Sequence, residues 1–242
     1  MKAPLRRLAR PRGDAHAWSA HSTSRSHIGR VRQINEDRVL DRADLGLWAV
    51  ADGMGGQSRG DAAAETVISA LAALAGPIEP DRLTLTLEQA NREVYRAGAG
   101  ESGTTLVLLH VDRGVGTLRW AGDSRAYLIR NERLKLLTRD HSVVQELVEA
   151  GLVEADRAAH HPQANVITRA LGIAPQPNLE TLSVALQPGD RVLLCSDGLS
   201  HSMNERDVQG RKPLGPQADR LLTNALQRDG SDNTSLVLVE IT

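Results

Sequence analysis

Two rhythms of apolar residues organise the chain. Residues 45–51 are a nearly unbroken apolar run, read as a buried strand, which passes through Asp52 into a turn built from Gly53, Gly55 and Gly56. In the alanine-rich stretch 60–76, Ala63, Val67, Ala70, Leu71 and Leu74 recur at helical spacing until Gly76-Pro77 stops them. Residues 85–97 repeat that rhythm through Leu87, Ala90 and Val94. From Thr104 the period changes: 104–111, 116–121, 125–130 and 134–137 read as strands joined by short turns, which predicts an antiparallel meander. Residues 141–151 read as a helix with Ser142 near its start, 151–172 as an irregular connector, 190–196 as a strand, 216–228 as a helix and 235–241 as a closing strand. Before all of these, 20–29 is rich in Ser, Thr and His and leads into the polar run 30–38. No repeat or linker divides the chain, so the pattern predicts one domain of two packed antiparallel sheets with helices outside.

Composition narrows the classes. The 242 residues suffice for a proper core, and with three Trp, two Tyr and no Phe that core must be aliphatic. The same scarcity removes the stacking platforms of a single-strand nucleic-acid binder. A formal net charge of −1 gives no global basic field, so neither nucleic acid nor a membrane surface is expected as a partner. The single cysteine, Cys195, fits a reducing compartment, hence a cytoplasmic location; it sits inside an apolar run and reads as a buried thiol, with no Cys-x5-Arg loop after it. No apolar segment reaches the ~18–20 residues of a membrane span. Residues 1–19 carry Lys2, Arg6, Arg7, Arg10 and Arg12 without an apolar stretch behind them, which reads as a disordered basic tail ahead of a single domain at 20–242.

The chemistry lies in acids at the ends of apolar runs. Asp37 closes Asn35-Glu36-Asp37, Asp52 ends WAVAD, Asp123 follows WAG, Asp197 ends RVLLCSD and Asp232 precedes the last strand. Each alone is an ordinary turn residue. Convergent carboxylates, however, repel one another unless cations neutralise them. The ligand set is all oxygen, with no His/Cys pair at zinc-like spacing, so Mg²⁺ or Mn²⁺ is the ion it suits. Two such ions could orient a bridging hydroxide for in-line attack on phosphorus. An arginine fork nearby would match phosphate oxygens, and by spacing Arg30, Arg32 and Arg38 are equal candidates.

The ordered set Gly29-x-x-Arg32-x-x-Asn35-Glu36-Asp37, Ala51-Asp52-Gly53-Met54-Gly55-Gly56, Ser102-Gly103-Thr104-Thr105, Ala121-Gly122-Asp123-Ser124-Arg125, Ser196-Asp197-Gly198 and Asp232-Asn233 resembles the metal-dependent, type 2C (PPM-type) Ser/Thr protein phosphatases. Residues 137–142 and 161–172 are similar to the flap of bacterial members. The resemblance implies an α+β fold, a four-layer α/β/β/α sandwich with a binuclear site in a cleft at one end. It further implies two core Mg²⁺ or Mn²⁺ ions on Asp37, Asp52, the Gly53 carbonyl, Asp197 and Asp232, with Glu36 beside them. Asp123 matches a ligand of a third, weaker ion, and Arg32 matches the phosphate-binding arginine.

The activity the resemblance implies is hydrolysis of phosphoserine and phosphothreonine in proteins by direct attack of a metal-bridging water or hydroxide, the expected partners being an opposing Ser/Thr kinase or its targets, with the chain acting as a monomer. Met54 occupies a position where many eukaryotic members carry a His proposed as general acid, and Met cannot donate a proton. Leaving-group protonation therefore falls to metal-bound water or to another residue, and His141 and His161, in the flap, are candidates for a proton-donor or substrate role. The irregular stretch from Leu199 to Met203, with Gly210-Arg211-Lys212-Pro213 after it, is expected to alter substrate selection. Two other readings compete: a catalytically silent phosphoprotein-binding module, and a hydrolase of small phosphoesters. A nucleotide loop is excluded, since DGMGG lacks both G-x-G-x-x-G spacing and a P-loop Lys.

Overall fold

The computed structural model of the chain describes residues 18–55 and 59–242; Gly56 and most of the basic tail lie outside them. One antiparallel sheet is built from β1 (Ala20–His27), β11 (Thr234–Ile241), β10 (Arg191–Cys195), β7 (Arg125–Arg130) and β8 (Arg133–Leu136), hydrogen-bonded in that order. The other runs β2 (Asp37–Arg42), β3 (Leu47–Met54), β5 (Leu106–Asp112), β6 (Val115–Ala121) and β9 (Glu180–Ala185), with the short β4 (Gly103–Thr104) added onto β3. Helices α1 (Arg59–Ala72) and α2 (Pro80–Gly98) precede β4, α3 (Val143–Glu149) follows β8, and α4 (Asp197–Ser200) and α5 (Leu214–Arg228) lie between β10 and β11. No helix of the described residues is long and apolar enough to cross a membrane.

Strand alternation makes the layers. In β3, Trp48 and Val50 point into the space between the sheets, where they meet Val107, Leu109, Leu194 and Val237. Their neighbours Leu47, Ala49 and Ala51 point the other way, onto Val67, Leu71, Leu83 and Leu87 of α1 and α2. In β10, Val192 and Leu194 join the central layer, while Leu193 and Cys195 pack on Leu221 and Ala225 of α5. Both strands are thus apolar on both faces, and each fully buried aliphatic side chain contributes about 1.5–3 kcal/mol. The result is an α/β/β/α sandwich with a largely aliphatic core.

Several sequence expectations need correction. Strands β1, β2 and β9 carry no strand reading in the sequence, and all three are sheet edges. The predicted meander is two hairpins: β5 and β6 pair in one sheet, β7 and β8 in the other. The chain changes sheets at Gly122–Ser124 because Gly122 takes φ +106, where an added Cβ would lie 2.6 Å from the Thr105 side chain. Asp52 is not at a strand end, since β3 runs on to Met54. Helix α1 stops at Ala72, before Gly76-Pro77, and the 151–172 connector contains a 3-10 segment, Ala155–His160.

The 210–213 stretch sits far from the cleft. Arg211 bonds Gly189 O and Glu240 beside the start of β10, while Asp197 follows that strand's other end. Five residues of strand span about 17 Å, so this segment does not reach the acids. The other half of the irregular stretch does: His201 Nδ1 is 4.0 Å from Asp197 Oδ2.

Candidate metal centre

The antiparallel register of β2 and β3 sets Asp37 directly opposite Asp52. Like charges facing each other across a ladder are destabilising, and here more acids join them. Asp197, at the first position of α4, comes within hydrogen-bonding reach of Asp52. Asp123 enters from the sheet-crossing turn and Asp232 from the turn before β11; both add to the negative potential at Asp52. The sequence-predicted acids therefore meet at one end of the sandwich.

Their titration reflects that crowding. Burial pushes Asp37 up to about 7, against hydrogen bonds from Ser235 and Ser196 and with repulsion from Asp197 and Asp232. Burial and then the Asp197 charge push Asp123 up to about 7. Asp52 is held well above the usual carboxylate range by burial and then by Asp37; Asp197 is raised by burial, with Asp232 adding to it against His201. Asp37 Oδ1, Asp123 Oδ1 and Asp197 Oδ1 are buried oxygens with no hydrogen-bond partner. Such acceptors are costly without a donor or a cation. Among the described residues no three His, Cys, Asp or Glu side chains draw together tightly enough to make a metal site by themselves. Acids of one sign repel one another, and the opposed pair, the Asp52–Asp197 approach and the orphaned oxygens are features that bound cations would relieve.

The supports are residues with no assigned role in the sequence reading. Ser196 Oγ donates to Asp37 Oδ2 at 2.8 Å and accepts Ser235 N–H at 3.0 Å. Thr105 Oγ1 accepts Asp52 N–H at 3.0 Å and shares a 2.7 Å bond with Ser124 Oγ beside Asp123. Asn233 Oδ1 accepts Glu36 N–H at 2.8 Å, and its Nδ2 donates to Ile28 O and Ile34 O. One amide thus pins both ends of the loop that carries Arg32. Gly53 allows the N-terminus of α1 to close over β3, since a Cβ there would lie 2.1 Å from Gly60 O.

Among the three arginine candidates, Arg32 is the one on the acids: its Nη2 donates to Asp232 Oδ2 at 2.7 Å. Arg38 turns away to Glu65 on α1 at 2.7 Å. Glu36 is half-buried and raised, by burial first and then by Asp61, which the sequence reading did not single out. His161 stands apart on the flap: its Nδ1 accepts Gln163 N–H, and it lines a groove with Leu152, Val153, Glu154, Arg157 and Pro162. His141 is buried, stacked on Trp120 with 6.2 Å between ring centroids and 7° between planes. Cys195 is fully buried, and burial pushes its thiol up to about 12.

Comparison with known proteins matches this geometry to relatives. The Protein phosphatase 2C family model covers residues 23–237. The serine/threonine phosphatase stp of Listeria monocytogenes is 34% identical over 240 residues, covering 91% of this chain and 95% of its own. Among solved structures, PppA, described as a key regulatory component of T6SS in Pseudomonas aeruginosa, superposes with a TM-score of 0.84 at 35% identity, over 93% of this chain and 98% of that one. The catalytic domain of serine threonine protein phosphatase PstP, in complex with two manganese ions, superposes with a TM-score of 0.81 at 32% identity, over 93% of this chain and 100% of that one.

Proposed function

The chain belongs to the protein phosphatase 2C family of Mg²⁺/Mn²⁺-dependent Ser/Thr phosphatases, and from that premise we propose a division of labour for its cleft. Asp37, Asp52, the Gly53 carbonyl, Asp197 and Asp232 would hold two core ions, Glu36 would act beside them, and Asp123 would hold a third. The observation that carries this reading is the set of buried carboxylate oxygens without partners, on Asp37, Asp123 and Asp197. When bound, the divalent ions supply charge neutralisation and an activated water.

The chain's own groups do the rest. Arg32, half-exposed at the mouth, presents a planar fork to two phosphoryl oxygens and holds phosphorus in line. Ser196, Thr105 and Asn233 fix the acids and the arginine loop, so little reorganisation is needed when charge develops. Water adds to phosphorus, the bond to the Ser or Thr oxygen breaks, and no protein nucleophile intervenes; the sealed Cys195 thiol supports that assignment. Met54 cannot protonate the leaving alkoxide, so that proton comes from water or from another residue at the cleft.

Residues 20–242 act as one catalytic domain behind the basic tail, on phosphorylated proteins, as a cytoplasmic monomer opposing a Ser/Thr kinase. Loss of a core carboxylate would have favoured a silent binding module, but all are present. Phosphate release from a phosphothreonine peptide should require Mn²⁺ or Mg²⁺ and stop with EDTA. Turnover that survives EDTA, or persists in Asp52→Asn, removes the metal mechanism; faster turnover of nucleotides or sugar phosphates removes the protein substrate.

A further inference from the structure

We propose that His141 is a positioning residue, locked as the Nε2–H tautomer, which ties the flap to the turn carrying Asp123 and so fixes the direction in which that carboxylate is presented. This rests on the placement of Asp123 in the metal centre.

His141 brackets one residue of that turn. Its backbone N–H donates to Gly122 O at 3.0 Å, and its ring Nδ1 accepts Gly122 N–H at 3.2 Å. Because Nδ1 receives a proton donor, it must offer a lone pair, and the ring proton resides on Nε2. There it finds an acceptor: Glu180 Oε1, on β9, is 3.1 Å away. Arg169 Nη1 donates to the same carboxylate oxygen at 3.2 Å and lies 3.4 Å from Nε2 itself, a longer approach than the Glu180 contact that takes the ring proton. One ring face is stacked on Trp120, whose own Nε1 donates to Arg139 O at 2.8 Å. Both ring nitrogens are therefore engaged, and the side chain is only 3% exposed. A group so placed neither reaches a leaving oxygen nor has a lone pair or proton to exchange with it.

What the residue does instead is join three parts. On the flap side, His141 O accepts Thr168 N–H at 2.8 Å, Ser142 bridges Ile167, and Val143 N–H donates to Val166 O at 2.9 Å. On the cleft side, Gly122 leads to Asp123, and Ser124 bonds Thr105, which bonds the Asp52 amide. The flap is thereby joined to the turn of Asp123 through one imidazole.

The test compares His141→Ala with His141→Asn, because an Asn Oδ1 can replace Nδ1 as acceptor for Gly122 N–H while offering no imidazole. Amide exchange at Gly122 and Thr168, followed by NMR, reads the tie without reference to turnover. We expect His141→Ala to lose protection at both amides and to lower kcat on the order of 10–100-fold, the effect of a small misplacement, with KM for a phosphopeptide little changed. His141→Asn should restore Gly122 protection and most of kcat. Protection unchanged in His141→Ala overturns the proposal. So does an Asn variant that regains protection yet turns over no faster than the Ala variant, since the ring would then act chemically. If no variant, nor the parent, releases phosphate, the function above fails, while the exchange data still decide whether His141 makes the tie.

Discussion

Two groups of buried acids, one at the cleft and one away from it, have opposite surroundings. Asp190, at the far end of β10, is 2% exposed and sits in a two-pronged bond with Arg130, at 2.7 and 2.6 Å, plus the Gln187 amide at 2.8 Å. Asp207, 3% exposed, takes Arg228, Asn224 and the Asn204 amide; burial would raise it, yet those bonds hold it below the usual range. Asp37 and Asp123 are as deeply buried, at 2% and 5%, but no arginine pairs with either among the described residues, and both are pushed up to about 7. The comparison teaches that burial alone does not mark a functional acid. A buried acid whose counter-charge is missing does.

The sharpest way to break the comparison is to neutralise one acid of each kind. Asp197→Asn should cut metal-dependent turnover by more than about a hundred-fold, beyond the usual cost of a residue behind the ligands, while leaving the unfolding midpoint without metal unchanged or higher. Asp207→Asn should do the reverse, costing roughly 2–3 kcal/mol in denaturant unfolding with turnover per folded molecule kept. Equal stability losses in both variants would mean that the cleft acids are structural after all.

A second test uses pH. The raised cleft carboxyls keep their protons to higher pH in the fold than in the unfolded chain. Between the ordinary carboxylate range and about pH 7 the fold thus binds more protons, and stability without metal falls as pH rises through that window. Added Mn²⁺, which favours the ionised forms, should raise the melting temperature more at pH 7.5 than at pH 5.5. A Mn²⁺ effect independent of pH in thermal-shift measurements would contradict it. The smallest expected change is Arg32→Lys, which keeps the charge but loses the fork; kcat/KM for a phosphopeptide should fall about ten-fold, one charge-assisted hydrogen bond's worth.

The two-faced strands were legible because they are apolar on both sides. The runs 45–51, 190–196 and 235–241 fall on β3, β10 and β11, and the helical spacing of 60–76 and 85–97 falls on α1 and α2. Strands β1, β2 and β9 were not legible because none carries a continuous apolar run; in β2, Val39 and Leu40 face opposite layers and are flanked by charged residues. Glu180–Ala185 alternates half-buried and exposed residues, and Ala20–His27 pairs polar Ser, Thr and His with β11. In the site, acids that follow apolar runs could be read from position. Ser196, Thr105 and Asn233 could not, because a single hydroxyl or amide in a sequence does not announce a partner 19 to 205 residues away. His141 was visible, but its bonds to Gly122 and Glu180, on which its proposed positioning role rests, were not.

One consequence follows from where the acids originate. Asp37 and Asp52 belong to one sheet, Asp197 and Asp232 flank strands of the other, and Asp123 sits where the chain steps between them. The distance between the two halves of the set therefore has a determinant besides the turns that carry Asp123 and Asp232. It is the thickness of the layer formed by Trp48, Val50, Leu194 and Val237. Those side chains, which carry no charge, act as the spacer between the two halves of the acid set.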